Sequence, residues 1–193
     1  QSPMDITALI WDKNDFYLAM IDDPVAVKEL SLIIREFLIE FLDMWLKRYG
    51  GEFIAHYPDY YMTEGVTLSE DEVGIVSAST FNEFFLPELK EISNHFGGLG
   101  MHCCANAMHQ WENFKKIPKL KLLNLSQPPD VVMKAYKFFA EHVPQMHDWC
   151  AQEEPWEWLG RCPLNAKIAI QIPAENKERS LLISEKLAPL CGK

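Results

Sequence analysis

One short segment carries the strongest structural signal in this chain: Gly97-Gly98-Leu99-Gly100-Met101-His102-Cys103-Cys104-Ala105-Asn106. Its apolar centre lies between glycines and an asparagine that can cap a helix, which is typical of a buried strand leading into a helix. Alternate side chains of a strand share one face. His102 and Cys104 are therefore predicted to point the same way, and Cys103 the other way.

The same order of strand and helix recurs along the chain. Strands are predicted at 52–56, 99–104, 120–125 and 167–172. Helices are predicted after the last three of them, at 106–116, 129–142 and 175–190. Alternation of this kind is typical of a parallel sheet, so an α/β fold is expected. No linker divides the chain, and residues 1–193 are predicted to form a single domain.

Two further helices are expected before the segment at 97–106. The first begins at Pro24, where Asp23 can cap it, and ends at Gly50. Its apolar residues recur at helical spacing: Leu30, Ile33, Ile34, Phe37, Leu38, Phe41, Leu42 and Trp45. The second helix, at 79–96, is expected to kink or break near Pro87 because proline lacks a backbone donor.

A polar connection rich in tryptophan is predicted at 145–165. Connections in compact domains usually take about 2 to 6 residues, so a longer one is expected to cover a site. Trp149, Trp156 and Trp158 could close over a ligand there, or could anchor the loop by burying their rings.

The composition argues against some classes of ligand and favours others. The chain has 193 residues, 48% of them apolar, and a formal charge of −10. An acidic surface disfavours nucleic acid and anionic membranes, and the apolar run from Leu30 to Leu46 carries too many charges to span a bilayer. Five cysteines are an odd number in a chain with no evident secretory signal, which favours reduced thiols and a cytoplasmic protein. A small-molecule substrate in a concave site is expected.

His102 and Cys104 have the chemistry of half a zinc site. Zn²⁺ prefers nitrogen and sulfur donors, and a catalytic zinc usually keeps three protein ligands and one open position. The carboxyl end of a parallel strand is also where α/β folds build their sites. The alternative is that both residues are buried in the core, since cysteine is among the most buried residue types.

A second polar cluster follows the predicted strand at 52–56. His56 and Asp59 are candidate catalytic residues for proton transfer, and the alternative is a proline turn whose tyrosines pack a loop. The later segment Ser69-Glu70-Asp71-Glu72 is interpreted as a helix start or a solvated acidic loop. Fingerprints for dinucleotides, phosphate loops and serine hydrolases are absent from the sequence.

An ordered series of short motifs runs through the chain: Pro3-Met4-Asp5-Ile6-Thr7-Ala8-Leu9-Ile10, Asp22-Asp23-Pro24, Ser69-Glu70-Asp71, Ser77-Ala78-Ser79-Thr80-Phe81-Asn82-Glu83-Phe84-Phe85-Leu86-Pro87 and Met101-His102-Cys103-Cys104-Ala105-Asn106. This series resembles the later part of the uroporphyrinogen decarboxylase superfamily. The resemblance implies a parallel (β/α) barrel of the TIM type, partial here because the first strands are expected to be missing. It also implies an activity at the carboxyl ends of the strands.

The superfamily includes metal-free porphyrin decarboxylases and zinc-dependent methyltransferases, which move a methyl group from a corrinoid protein to a thiol or pterin acceptor. His102 and Cys104 match the methyltransferases' His-x-Cys zinc pair, and Cys191 is the candidate for their further cysteine near the chain end. The usual glycine after the pair is replaced here by Ala105. The resemblance thus implies Zn²⁺ as cofactor and a corrinoid protein as partner.

Two alternatives to the methyltransferase stay open. The chain could be a decarboxylase of a tetrapyrrole carboxylate, although no dense basic cluster for the carboxylates is visible in the sequence. It could also be an inert fragment or truncated paralogue that acts as an interaction partner, because an unclosed sheet leaves edges that need a cover. A homo-oligomer or a missing amino-terminal segment would supply that cover.

Overall fold

The structure, a computed structural model, describes residues 1–51 and 62–191. It opens with three helices: α1 (Pro3–Ile10), α2 (Lys13–Asp22) and α3 (Pro24–Tyr49). The predicted ends of α3 are confirmed. The Asp23 side chain accepts the Ala26 N–H at one end, and Gly50 ends the helix at φ 77°, a left-handed conformation that favours glycine.

The strands form one parallel sheet: β1 (Val66–Ser69), β2 (Leu99–Cys103), β3 (Leu120–Leu125), β4 (Gln145–Asp148) and β5 (Ile168–Gln171). They lie in chain order, so each strand pairs with the one before it. The predicted α/β class with a parallel sheet is confirmed, and the sheet is open over the described residues. All the carboxyl ends meet at one edge, where parallel α/β folds place their sites.

Helices connect the strands: α4 (Ala78–Thr80), α5 (Leu86–Phe96), α6 (Trp111–Phe114), α7 (Pro129–Phe139), α8 (Pro155–Leu159) and α9 (Lys177–Leu187). The helix predicted at 79–96 is continuous from Ala78 to Phe96 and is not broken at Pro87; it is irregular instead, since a π-helical turn at Phe81–Phe85 precedes α5, and Pro87 lies in the first turn of α5. The helix predicted at 106–116 is shorter than expected. It consists of the 3₁₀ turn Met108–Gln110 and the single turn of α6.

One face of the sheet packs against these helices. Leu99, Met101 and Cys103 of β2 are fully buried there, in the main hydrophobic core of the described residues. Cys103 is therefore a core residue, as the alternation along the strand predicts. Its burial raises the pKa of the Cys103 thiol, which removes it as a candidate ligand or nucleophile.

The opposite face carries the other set of alternating side chains. Leu122 of β3 and Met146 of β4 pack with Met62 on that side. His102 of β2 and Asn124 of β3 hydrogen-bond to each other near the carboxyl ends of these strands. The alternation thus separates the packed core from a polar group at the edge where a site is expected.

Two of these strands were not predicted from the sequence. The connection predicted at 145–165 is wrong at its start, because Gln145–Asp148 form β4, with Gln145, Met146 and His147 all buried. Later in this connection Trp158 is buried, so it anchors the loop, whereas Trp149 lines a small pocket. The four residues of β1 lie directly before the acidic run Glu70-Asp71-Glu72, where the sequence predicts a helix start or a solvated loop.

The C-terminal half of α3 presents a row of aromatic side chains to solvent. Phe37, Phe41 and Trp45 are 64%, 45% and 40% exposed, and successive ring centroids lie 6.4 and 6.3 Å apart. In the N-terminal half, Val27 and Ile34 are buried. The apolar spacing predicts the helix correctly: Ile39 and Leu42 in this half pack against the main core, whereas the aromatic row lies on the solvent side. Within the described residues, no helix has the length and apolar character needed to cross a membrane.

Candidate metal centre

Three side chains with metal-ligating atoms meet at the carboxyl ends of β1 and β2. They are Asp71, His102 and Cys104, here called the metal centre, and one ligand atom from each lies within 4.8 Å of the other two. The parallel register explains the meeting, because Ser69 pairs with His102. Asp71 lies two residues after Ser69 and Cys104 two residues after His102, so both follow the ends of neighbouring strands. The predicted convergence of His102 and Cys104 on one side is thus present in the structure.

Asp71 is held in place by hydrogen bonds to both of its carboxylate oxygens. Its Oδ1 accepts the backbone N–H of Cys104 at 2.6 Å, and its Oδ2 accepts the Ser69 hydroxyl at 3.0 Å. Burial would raise the pKa of Asp71, but these hydrogen bonds, with one from the Cys104 thiol, hold the pKa below its ordinary value. The group is therefore an ionised carboxylate with lone pairs to spare for a cation.

His102 is oriented by its neighbour on β3. Its Nδ1 lies 2.5 Å from Oδ1 of Asn124, and the Asn124 amide nitrogen donates to the carbonyl of Met146 at 2.6 Å. Because the amide nitrogen is committed to that carbonyl, Oδ1 faces the imidazole and Nδ1 must be the donor. Nε2 then carries the lone pair, which is the arrangement that supports a ligating histidine.

Cys104 is the exposed member of the metal centre. Partial burial, a hydrogen bond from its thiol to Asp71 and the charge of that carboxylate raise its pKa. The thiol is therefore protonated while the site holds no cation. Because a metal binds the thiolate, loading the site must release this proton.

A layer of buried acidic residues lies behind Asp71. Asp5 of α1 accepts the backbone N–H groups of Asp71 and Glu72 at 3.0 Å each, which fixes the turn after β1. Glu70 is fully buried beside Ser2 and Asp5, and its carboxyl oxygens have no well-formed hydrogen bond to a described residue. Burial, with the charge of Asp5 beside it, raises the pKa of Glu70 well above its usual value and so favours the neutral acid. The expectation of a solvated acidic loop is wrong at Glu70.

The remaining predicted site residues do not join the metal centre. Cys191 is exposed after α9 and lines a cavity with Ala166, Lys167 and Leu187. A helix that follows a parallel strand runs back along it, so its C-terminal end returns to the amino edge of the sheet, opposite the metal centre. Cys191 is therefore not among the described residues that meet His102 and Cys104. His56 and Asp59 lie outside the described residues.

Asp71 and Asn124 are the two residues of this site that the sequence does not assign to a site. Asn124 is an isolated polar residue in the predicted strand at 120–125, and such a position signals a polar contact. Asp71 follows the alternating residues Val66–Ser69, which also predict a strand end once a short strand is allowed.

Comparison with known proteins assigns the chain to no family, because no family model and no curated protein matches it.

Proposed function

We propose that Asp71, His102 and Cys104 hold a catalytic zinc ion, and that the chain is a zinc-dependent methyltransferase of the uroporphyrinogen decarboxylase superfamily type. One observation carries the proposal: three ligand atoms from two neighbouring strand ends lie within 4.8 Å of one another. The methyl group would come from a corrinoid protein and pass to a thiol or pterin acceptor, as the resemblance implies.

The donor set fits zinc. Nitrogen, sulfur and carboxylate oxygen are its usual ligands, at about 2.0 to 2.3 Å, so tetrahedral ligands lie roughly 3.5 Å apart. Three protein ligands leave one coordination position, and the exposure of Cys104 gives an acceptor access to it. The contact of His102 with Asn124 supplies the outer partner that ligating histidines usually have.

The sheet supports a partial barrel. Parallel strands added one after another in chain order are the arrangement of a (β/α) barrel, whereas doubly wound sheets reverse direction at a switch point. A metal centre at the carboxyl ends lies where barrels place their chemistry. These features favour the barrel that the resemblance implies.

The chemistry assigns separate tasks to the residues of the site. Zinc, when bound, supplies a Lewis acid that stabilises an acceptor thiolate. Asn124 orients His102, and Asp71 fixes the backbone of Cys104. In the transfer itself the acceptor thiol releases its proton to water, and a sulfur lone pair forms the new bond to the methyl carbon. The bond from methyl to cobalt breaks, and its electron pair stays on the corrinoid.

Elemental analysis of the purified chain tests the metal centre. We expect about one zinc per chain, and loss of that zinc in His102→Ala and in Asp71→Ala. His95→Ala is the matched control, since His95 is a half-exposed histidine paired with Asp43 on the helical side. Protein that contains no zinc and takes none up from micromolar solution would refute the proposal.

A methyl-transfer assay tests the reaction. With methylcobalamin and 2-mercaptoethanol, the zinc-loaded chain should decrease the absorbance of methylcobalamin. The chain stripped of metal by a chelator and the His102→Ala variant should leave that absorbance unchanged. Full activity after chelation would contradict the methyltransferase. The tetrapyrrole decarboxylase remains a prediction that no observation on the described residues favours.

The aromatic row of α3 favours a second candidate function, in which the chain acts as an interaction partner of another protein chain. Exposed apolar surface of this kind commonly marks a protein contact, and a second copy of the chain would cover it. Sedimentation at micromolar concentration should then show a dimer that Phe37→Glu converts to a monomer. A monomeric wild-type chain would reject this candidate.

A further inference from the structure

The two loops that carry the metal centre approach each other closely at one point. Gly74 ends the 3₁₀ turn Glu72–Gly74, which follows Asp71, and Ala105 comes directly after Cys104. A Cβ atom placed on Gly74 would lie 2.6 Å from the Cβ of Ala105. The methyl group of Ala105 therefore occupies the space that a side chain on Gly74 would need.

The turn at Gly74 is anchored to the body of the domain. Val73 is fully buried in the main hydrophobic core. The side-chain amide of buried Gln110 donates to the carbonyls of Val73 and Val76, at 3.3 and 2.8 Å. These contacts hold the chain on both sides of Gly74, so the turn forms a fixed wall.

The loop after β2 is held as well. Cys103 and Ala107, at its two ends, are buried in the main hydrophobic core. Gln127, which follows β3, donates from its side-chain amide to the carbonyls of Cys104 and Ala105, at 2.8 and 3.0 Å. Because β2 lies between β1 and β3, this loop is held on one side by Gln127 and on the other by the turn after β1.

We propose that Gly74 is a positioning residue of the metal centre, and that its close approach to Ala105 sets the distance between Asp71 and Cys104. Ordinary contacts between such carbon atoms begin at 3.4 Å, so a methyl group on Gly74 would push the two loops about 0.8 Å apart. The residues of a binding site need to be held within about 0.5 Å of their productive geometry. The role in zinc binding rests on the proposed function, whereas the packing of the two loops does not.

Competition with a zinc chelator measures the effect on the metal. Gly74→Ala should bind zinc at least tenfold more weakly than wild type. The double variant Gly74→Ala/Ala105→Gly moves the methyl group to the other side of the contact. It should bind zinc at least threefold more tightly than Gly74→Ala, although Ala105→Gly also loosens the backbone.

Gly51→Ala is the matched control. A Cβ atom on Gly51 would have no heavy atom of the described residues within 4 Å, apart from its neighbours in the chain. This variant should bind zinc as tightly as wild type does.

Cobalt(II) in place of zinc separates positioning from a general loss of stability. A Co²⁺ ion with a thiolate ligand shows a charge-transfer absorption that reports the bond between sulfur and metal. At saturating Co²⁺ this absorption should be at least twofold weaker in Gly74→Ala than in wild type, and it should recover in the double variant. A variant that is only less stable would show the wild-type absorption once it is saturated.

Thermal unfolding of the metal-free chain tests the packing of the two loops. Gly74→Ala should unfold at least about 3 °C below wild type, and the double variant should recover part of that shift. No loss in Gly74→Ala, or no recovery in the double variant, would overturn the contact.

The two measurements on metal separate the positioning role from the proposed function. Equal zinc affinity and equal cobalt absorption in Gly74→Ala and wild type, on a chain that holds zinc, would overturn the positioning role and spare the metal centre. A chain that takes up no zinc would refute the proposed function, and with it the role of Gly74 in zinc binding. The contact between the two loops would then stand on the thermal unfolding alone.

Discussion

Polar atoms of the metal centre have hydrogen-bond partners, whereas several of those beneath α7 have none among the described residues. Asp71 and His102 each have hydrogen-bond partners at 2.5 to 3.0 Å. Beneath α7, the Tyr136 hydroxyl, the Gln145 amide and His147 Nε2 are buried without a partner among the described residues. Tyr136 and His147 pack ring against ring at 4.9 Å.

The difference shows two ways in which a sheet tolerates polar side chains. Pairing fixes the orientation of the groups at the strand ends, so the metal centre is ready for a ligand before one arrives. The group beneath α7 persists because its members are neutral, which limits the free-energy cost of burial. The two groups should therefore respond differently to pH and to substitution.

The largest effect is expected from pH acting on His147. Its pKa is about 4 in the folded chain against an ordinary 6.5, so between these values the unfolded chain binds a proton that the folded chain does not. Stability should fall as pH drops from 6.5 to 4, by about 3 kcal/mol in total, and no further below 4.

Urea unfolding of wild type and His147→Phe across pH 4 to 7 measures this effect. The variant should lack this part of the slope, so the difference between the two curves isolates His147 from the other titrating groups. Parallel curves would mean that the His147 ring is protonated in the folded chain.

Loss of Asp5 should have the next largest effect. Asp5→Ala leaves the backbone N–H groups of Asp71 and Glu72 without their acceptor, which should cost about 2 kcal/mol of stability. Asp5→Asn keeps one acceptor oxygen and should lose about half as much. Equal stability of Asp5→Ala and wild type in urea unfolding would show that the turn holds itself.

Loss of the Asn124 side chain is expected to lower mainly the affinity of the metal centre for zinc. Asn124→Leu removes the acceptor that orients His102, and zinc affinity should fall at least tenfold, about 1.4 kcal/mol. Asn124→Asp keeps an acceptor and should stay within tenfold of wild type. Competition with a zinc chelator measures both, and unchanged affinity in Asn124→Leu would mean that His102 is oriented by other contacts.

The smallest effect is expected at Tyr136. Because its hydroxyl has no described partner, Tyr136→Phe should leave the free energy of unfolding within about 1 kcal/mol of wild type. A loss of more than about 2 kcal/mol would show that the hydroxyl is hydrogen-bonded, and would remove the contrast between the two groups.

The sequence was informative where one strand carries the signal. The bounds predicted for β3 are those observed, and β2 differs by one residue, because apolar runs between glycine or proline are strong local patterns. The common side of His102 and Cys104 follows from strand alternation alone. The strand β4 was hidden because Gln145 and His147 interrupt its apolar pattern, although both are buried.

Contacts between strands could not be predicted from local sequence patterns. Asp71 joins the metal centre through the β1–β2 register, which depends on how the two strands dock. Cys191 is a candidate ligand only through the family resemblance, and the return of α9 to the other edge of the sheet determines where it lies. The exposure of α3 was likewise hidden, since apolar spacing reports a face and not its cover.

The order of the strands has a consequence for how this chain folds. Each strand docks on the one made just before it, so every pairing closes a loop of modest length and small entropic cost. Assembly can thus begin at the central, largely buried pair β2 and β3 and extend outward in both directions. In native-state hydrogen exchange, amides of Met101 and Leu123 should be the slowest and those of β5 the fastest of the sheet.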